Sequence, residues 1–410
     1  MNYMINKNKY DCCGCTACMY ACPRNCISMK EDKEGFWYPS IDLSFCINCH
    51  LCEKVCPFNK DIPAKESIKI FAAKNLDDGV RMHSSSGGIF SLLAEKVIRQ
   101  GGIVYGAMFG DSWEVKHGYV DSLEEMSLLR GSKYVQSHME ECFKSIKENL
   151  KNKLVLFSGT PCQVLGLKLF LGKEYANLLT VDFVCHGVPS PKVWRKYLEE
   201  TIAYWSEGKK SVSSHLDSEK KVIEKIEFRS KLTGWKKFSF AITLSEMTTD
   251  GEKKSVLLSS IFYENSYMQA FLSDLSLRPS CYQCKCKNGR SKSDLTIADF
   301  WGADQYLPEM DDDKGISTLI INSQRGNDFL VDIKTRMEMI DINLMSGMIK
   351  NGGYKEMVSI PKKRTLFFYL INDKKYTVEH ATRRCLEGTH VRRTLRVVKK
   401  TILNFFIKSN

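Results

Sequence analysis

Two short cysteine runs, 34 residues apart, limit what this chain can fold into more than any other feature. Cys12-x-x-Cys15-x-x-Cys18-x-x-x-Cys22-Pro23 recurs as Cys46-x-x-Cys49-x-x-Cys52-x-x-x-Cys56-Pro57. A cubane iron–sulfur cluster needs four thiolates at the corners of a tetrahedron. Two-residue gaps let one tight loop present three sulfurs, and the fourth cysteine, after a three-residue gap, points away to the other cluster. The spacing therefore predicts two [4Fe–4S] clusters, one on Cys12, Cys15, Cys18 and Cys56, the other on Cys46, Cys49, Cys52 and Cys22. The proline after each fourth cysteine is expected to stop a helix. Cys13 and Cys26 are left over. A pair of zinc knuckles is the competing reading, but zinc has no need of a third cysteine at two-residue spacing in each half.

The chain has 17 cysteines, an odd number, and its polar first residues lack the apolar stretch of a secretory signal. A reducing cytoplasm with thiolates reserved for metal is the expected setting. No run of 18 apolar residues is present, so no spanning helix is expected. The net charge is +12, and residues 362–410 alone carry 13 Lys/Arg against Asp373, Glu379 and Glu387. The remainder is near neutral, and each thiolate-bound cluster adds roughly two negative charges. A near-neutral or acidic body with a basic tail argues against nucleic acid as a partner.

Along the chain, residues 1–66 read as an α+β ferredoxin-like domain closed by Pro57 and Pro63. Residues 67–345 alternate strands and helices, the pattern of an α/β domain with a parallel or mixed sheet. Strands are expected at 70–74, 103–109, 153–157 and 178–184, an amphipathic helix at 89–98, and β-hairpins within 222–261. Residues 346–410 read as a basic, helical C-terminal region.

Cys162 and Cys185 each follow a predicted strand, and the carboxyl ends of strands in such sheets share one edge, where ligands bind. With the Cys281-x-x-Cys284 pair they supply four thiolates, enough for a third cluster. Two ordinary buried cysteines plus an isolated Cys-x-x-Cys fit the same residues, and spacing alone leaves both readings open.

Taken in order, several longer motifs carry a resemblance. They are the ferredoxin repeat, Ser84-Ser85-Ser86-Gly87-Gly88, Gly131-Ser132-Lys133-Tyr134-Val135-Gln136-Ser137, Ser158-Gly159-Thr160-Pro161-Cys162-Gln163, Val184-Cys185-His186-Gly187-Val188-Pro189, and Ser280 to Cys284 followed by Asp294 to Gly302. Over nearly the whole chain to about residue 345 the sequence resembles the coenzyme F-420 hydrogenase/dehydrogenase beta-subunit family, and within it the bacterial branch with an N-terminal two-cluster ferredoxin domain, often linked to polysaccharide biosynthesis. The resemblance implies a flavoprotein oxidoreductase that binds FAD beside a cluster on Cys162, Cys185, Cys281 and Cys284. Cys286 is an extra cysteine able to replace Cys284. Archaeal members exchange a hydride with coenzyme F-420, so a small hydride carrier and a redox partner protein are the implied partners. The candidate flavin contacts are Ser84, Ser85, Ser86, Gly87, Gly88, Lys133, Tyr134, Gln136, Gln163 and Asp299.

Elementary chemistry agrees with a flavin at the Ser84–Gly88 turn, because small residues at a helix N-terminus let backbone N–H groups approach a pyrophosphate. Such turns also cap helices that bind nothing. No G-x-G-x-x-G follows the first strand, so a Rossmann NAD site is not expected. No catalytic side chain can be named. The principal reading is an iron–sulfur flavoprotein oxidoreductase; an electron carrier or cluster-bearing assembly component without substrate chemistry is the alternative. In the tail, Val391, Leu395, Val398, Ile402 and Phe405 share one helical face between Arg392, Arg393, Arg396, Lys399 and Lys400. Such a helix can lie on an anionic membrane, making the protein membrane-peripheral, or dock on the protein's own core.

Overall fold

The computed structural model describes residues 8–207, 221–247, 253–342 and 352–387. The tail helix expected from Val391 lies outside the described residues. No helix among them is long and apolar enough to cross a membrane.

The internal repeat is visible in the backbone. Gly14 and Thr16 take φ of 72° and 66°, and the residues 34 positions on, Asn48 and His50, take 53° and 57°. Left-handed residues at matched positions wind each loop tightly before its single helical turn, Ala17–Tyr20 in the first half and Leu51–Lys54 in the second. A hairpin of β1 (Ile27–Glu31) and β2 (Trp37–Ile41) separates the halves. Pro57 opens a short 3-10 turn, Pro57–Asn59, so there it starts an element as well as ending the cysteine run.

The rest is organised on an eight-stranded mixed sheet. Its centre is parallel: β4 (Ile103–Phe109), β6 (Val155–Gly159), β7 (Leu178–Phe183) and β11 (Leu295–Asp299). β5 (Val115–Val120) adds antiparallel at one side. β12 (Ser317–Ile321), β3 (Lys69–Asn75) and β13 (Met337–Asp341) add antiparallel at the other. The central strands open on apolar runs, Ile103–Tyr105, Val155–Phe157 and Leu178–Leu179, because both faces are covered there. Val104, Leu156 and Leu179 face the helix Ile89–Arg99 through Leu92, Leu93 and Val97. The alternate residues Ile103, Tyr105, Val155 and Phe157 meet the helix Pro161–Leu171 through Val164, Leu165 and Leu167. The cysteine-rich segment docks on this second face with Tyr20, Cys15, Cys56 and Phe58.

A second, three-stranded antiparallel sheet follows, of β8 (Lys221–Ser230), β9 (Ser239–Met247) and β10 (Lys253–Ile261). It closes over Trp194, Phe228, Phe240 and Tyr267, whose rings meet at centroid separations of 4.9–6.2 Å. The helices Arg364–Asn372 and Val378–Leu386 belong to the same core through Phe367, Phe368, Ile371, Val378 and Ala381. Arg364 also pairs with Glu34 of the ferredoxin hairpin at 2.7 Å and donates to the Leu277 carbonyl at 2.9 Å. Residues from the two ends of the chain thus meet beside the cysteine loop.

Phe367 is fully buried, so Phe367→Ala should destabilise the protein by about 3–5 kcal/mol through lost burial and a residual cavity. Anaerobic thermal or urea unfolding measures this, and a change within experimental error would place the C-terminal helices outside the core.

Candidate functional site

None of the 17 cysteines is in a disulfide. Cys22, Cys46, Cys49 and Cys52, the set expected for one ferredoxin cluster, line one recess together with Cys26, walled by Ile27, Ile41 and Ile47. Cys22 and Cys26 sulfurs lie 3.3 Å apart. This set is near the surface, for Cys49 is exposed and Leu43, Phe45, Ile47 and Leu51 around it are exposed apolar side chains. The other expected set, Cys12, Cys15, Cys18 and Cys56, is buried throughout.

The strand ends deliver the middle cysteines as the parallel sheet requires. Cys162 lies in the first turn of the helix that follows β6, where Thr160 and Gln163 form a reciprocal cap and the Thr160 hydroxyl meets the Cys162 sulfur at 3.1 Å. A helix N-terminus favours a thiolate. Cys185 follows β7, the neighbour of β6. Cys281 sits in the 3-10 turn Pro279–Gln283 and its sulfur accepts the Val188 N–H at 3.4 Å. Cys185, Cys281 and Cys284 lie within electrostatic range of one another, and Cys284 of Cys162. The Val188 N–H reaches Cys281, and the charge of the buried Lys287 favours the thiolates of Cys185, Cys281 and Cys284. Burial opposes this, pushing Cys281 up to about 12 and Cys185 higher. Cys284 is instead held down to about 7, first by its hydrogen bond with Cys286.

Cys13, the leftover residue of the repeat, joins the two regions. Its sulfur is in hydrogen-bonding contact with both Cys15 and Cys162. Cys15 is in turn within range of Cys56. Sulfur thus follows sulfur from the first ferredoxin set to the middle set. The helix Pro161–Leu171 comes this close because position 166 is glycine: a Cβ there would stand 2.9 Å from the Cys15 sulfur. Spacing gives no signal for Cys13, since a ligand directly beside Cys12 fits no cluster motif.

The donor chemistry fits clusters: the expected ligands are all thiols, the Val188 N–H and the Arg278 guanidinium reach sulfur, and Lys287 lies in electrostatic range. No group of three or more His, Cys, Asp or Glu side chains among the described residues closes on a single ion. One ion draws its ligands together, whereas a cubane spreads its thiolates over separate corners.

The expected flavin residues divide. The Ser84–Gly88 turn does open the helix Ile89–Arg99, whose Gly88 N-cap is left-handed and has no side-chain cap, so its first N–H groups suit an anion. Ser85 accepts the Ser132 N–H at 2.7 Å, tying this turn to the Gly131–Ser137 loop. Lys133, on that loop, is brought down to about 7 by burial and donates to the Arg130 and Gly131 carbonyls. Tyr134 packs 4.8 Å from the Phe271 ring, and its hydroxyl accepts from Arg229 at 3.4 Å. Asp299, at the end of β11, binds Arg229 at 2.7 Å and the Trp235 indole at 2.9 Å. Gln163 and Gln136 serve elsewhere. Gln163 caps its own helix and donates to Ser137 at 2.9 Å. Gln136 donates to the Cys13 carbonyl at 3.1 Å and accepts from Arg278 at 2.9 Å, at the junction with the ferredoxin segment. Both are buried amides whose hydrogen bonds have to be met locally. His186 pairs with Asp274 at 2.6 Å.

Two family models match the chain: a 4Fe-4S dicluster domain over residues 11–60, and the coenzyme F-420 hydrogenase/dehydrogenase beta subunit, C terminus, over residues 152–343. Residues 152–343 belong to the coenzyme F-420 hydrogenase/dehydrogenase beta-subunit family, behind a 4Fe-4S dicluster domain. The chain is an iron–sulfur oxidoreductase of that beta-subunit type. Its ferredoxin segment is similar to an uncharacterized ferredoxin of Methanocaldococcus jannaschii, 31% identical over 67 residues, 16% of this chain and 79% of that protein. An uncharacterized protein from the rpl9–rpl11 intergenic region of Porphyra purpurea is 41% identical over 58 residues, 13% of this chain and 76% of that protein. Among solved structures, a chain of the F-420-reducing [NiFe] hydrogenase complex of Methanosarcina barkeri aligns with TM-score 0.43 and 16% identity, covering 79% of this chain and 92% of that one.

Gly87 has a structural duty that its motif conceals. A Cβ on it would lie 2.5 Å from the Ala73 carbonyl oxygen and 2.7 Å from the Ser317 nitrogen, both in the sheet. Gly87→Val should therefore destabilise the fold by about 1–3 kcal/mol or more, not merely block a ligand. An unchanged anaerobic melting temperature would refute this.

Proposed function

We propose that this chain moves electrons between a small hydride carrier of the coenzyme F-420 kind and a redox partner protein, using FAD and three [4Fe–4S] clusters. When bound, FAD supplies the exchange between a two-electron hydride and single electrons, and the clusters supply one-electron carriage. In this reading residues 1–66 hold two clusters, residues 67–345 hold the flavin and the third, and residues 346–410 are the helical C-terminal part.

The observation that carries the reading is one buried hydrophobic cluster that holds Cys13, Cys15 and Cys56 of the ferredoxin segment, with Cys162 and Cys284 of the middle domain packed against it. Cys162, Cys185, Cys281 and Cys284 ligate the third cluster. Cys12, Cys15, Cys18 and Cys56 ligate the inner ferredoxin cluster, and Cys22, Cys46, Cys49 and Cys52 the outer one. The turn of Ser84, Ser85, Ser86, Gly87 and Gly88 offers backbone donors to the flavin pyrophosphate, with Lys133, Tyr134 and Asp299 lining the neighbouring loop and strand end. Cys286 stands by as a substitute for Cys284. Exposed Leu43, Phe45, Ile47 and Leu51, beside exposed Cys49, give a partner an apolar seat at the outer cluster.

Anaerobic purification with iron, sulfide and flavin assays should give about twelve irons per chain, and denaturation should release FAD. Cys185→Ala should bring iron to about eight while sparing both ferredoxin clusters; Cys185 is the better target because Cys13 and Cys286 border the other ligands. Zinc in place of iron, or about four irons, would overturn the cluster assignment. Full cluster content without flavin would favour a plain electron carrier or an assembly component.

A further inference from the structure

Arg81, Arg229, Arg278 and Arg364 are the buried arginines among the described residues. Arg81 is paired with Asp78 and Asp312, Arg229 with Asp299, and Arg364 with Glu34. Arg278 is the most deeply buried of them, at 0% exposure, and no carboxylate lies within ion-pair distance of it among the described residues. Its donors go to the Cys12 carbonyl at 2.7 Å, the Gln136 amide oxygen at 2.9 Å, the Trp37 carbonyl at 2.9 Å and the Cys12 sulfur at 3.6 Å. The guanidinium also stacks over the Tyr38 ring at 4.3 Å. A buried cation without an anion is too costly to keep, and neutral carbonyls do not supply a counter-charge. The groups within its range that can carry negative charge are the Cys12 sulfur, then the Tyr38 phenol, which burial keeps protonated, then Cys13 and Cys281.

We infer that the counter-ion of Arg278 is the inner ferredoxin cluster held through Cys12, and that this guanidinium raises the cluster's reduction potential above what the same thiolates would give alone. The inference rests on the reading that Cys12 is a cluster ligand. A thiolate-bound cubane is net anionic, and reduction adds one further negative charge, with no bond made or broken and no proton required. A fixed cation beside a ligand sulfur stabilises the reduced form more than the oxidised one. A hydrogen bond to the same sulfur acts in the same direction. The position of Arg278 gives this an effect on electron flow. It bonds directly to the Cys12 sulfur and acts on Cys281 only at longer range, so it raises the inner cluster more than the middle one and makes the inner cluster the better acceptor for an electron leaving the middle set. Among the described residues, the outer cluster, on Cys22, Cys46, Cys49 and Cys52, has no comparable buried cation lining its recess: Arg24 and His50 there are both exposed.

The test is an EPR-monitored potentiometric titration of the full-length, anaerobically purified protein with dithionite as reductant, iron being counted in every sample. In Arg278→Gln the inner cluster should shift to clearly lower potential. The outer cluster, assigned by its loss in Cys49→Ser, should not move, and Arg278→Lys should recover part of the shift. Gln136→Glu, nearly isosteric, sets a carboxylate against the guanidinium and should lower the same potential; it gives up the bond to the Cys13 carbonyl, so its iron content and melting temperature are compared with those of Gln136→Met, which loses the same bond without adding charge. If Arg278→Gln does not load with iron, Gln136→Glu decides alone. A fully loaded variant with unchanged potentials overturns the inference, and so does an equal shift of inner and outer clusters. Should the unaltered protein hold no ferredoxin clusters at all, it is the ligand assignment that fails, and the iron count shows which has happened.

Discussion

The contact of Cys13 with Cys15 on one side and Cys162 on the other brings together two regions that a sequence keeps far apart. Almost every unusual feature of the neighbourhood serves it. Glycine at 166 lets a helix come against Cys15, and Gln136 and Arg278 hold the backbone of Cys12 and Cys13 in place. The cysteine-rich segment is thereby part of the wall of the middle domain. Electron transfer falls steeply with distance, so a rigid contact of this kind matters more than either set of ligands alone.

A second constraint is charge. The interior around the sulfurs contains the cations Arg278 and Lys287 and, near Cys185, the buried Asp182, while burial pushes Cys185 and Cys281 toward the protonated form. Cations, a helix N-terminus at Cys162 and the Val188 N–H act against that tendency. In the proposed reading, bound iron would reconcile them by displacing the protons that burial would otherwise retain.

Much of this architecture was legible in the sequence, for identifiable reasons. The central strands at 103–109 and 178–183 are short apolar runs bounded by turns, and the helix from Ile89 shows its 3.6-residue period. Cys162 and Cys185 could be placed on one edge because parallel neighbours end together. What could not be read depends on tertiary partners. Gln163 looks like a ligand contact when it follows a cysteine, yet its amide closes a capping box with Thr160. Gln136 lies in a loop that suggests flavin, and its amide meets Cys13. Gly87 reads as a turn residue until the sheet supplies Ala73 against it. Residues from 362 read as basic because their charges dominate the count, while Phe367, Phe368 and Ile371 between those charges are core. Pattern reveals which face of an element is apolar, not what will cover it.

The glycine at 166 also bears on how such a chain can be taken apart. A free-standing ferredoxin is a convenient unit for transplantation: its clusters are wrapped in its own residues, and a flexible tether is enough to attach it. Here the inner loop has surrendered part of that wrapping. Tyr20 stacks against Phe143 and Phe170, and Phe58 and Cys15 rest on a neighbour's helix. Excision of the first 66 residues would carry those side chains into water. A foreign ferredoxin grafted in their place would have to bring a surface shaped to the notch that the missing Cβ leaves. Exchange of whole cassettes is closed to this arrangement, and change has to proceed by paired substitutions on either side of the seam.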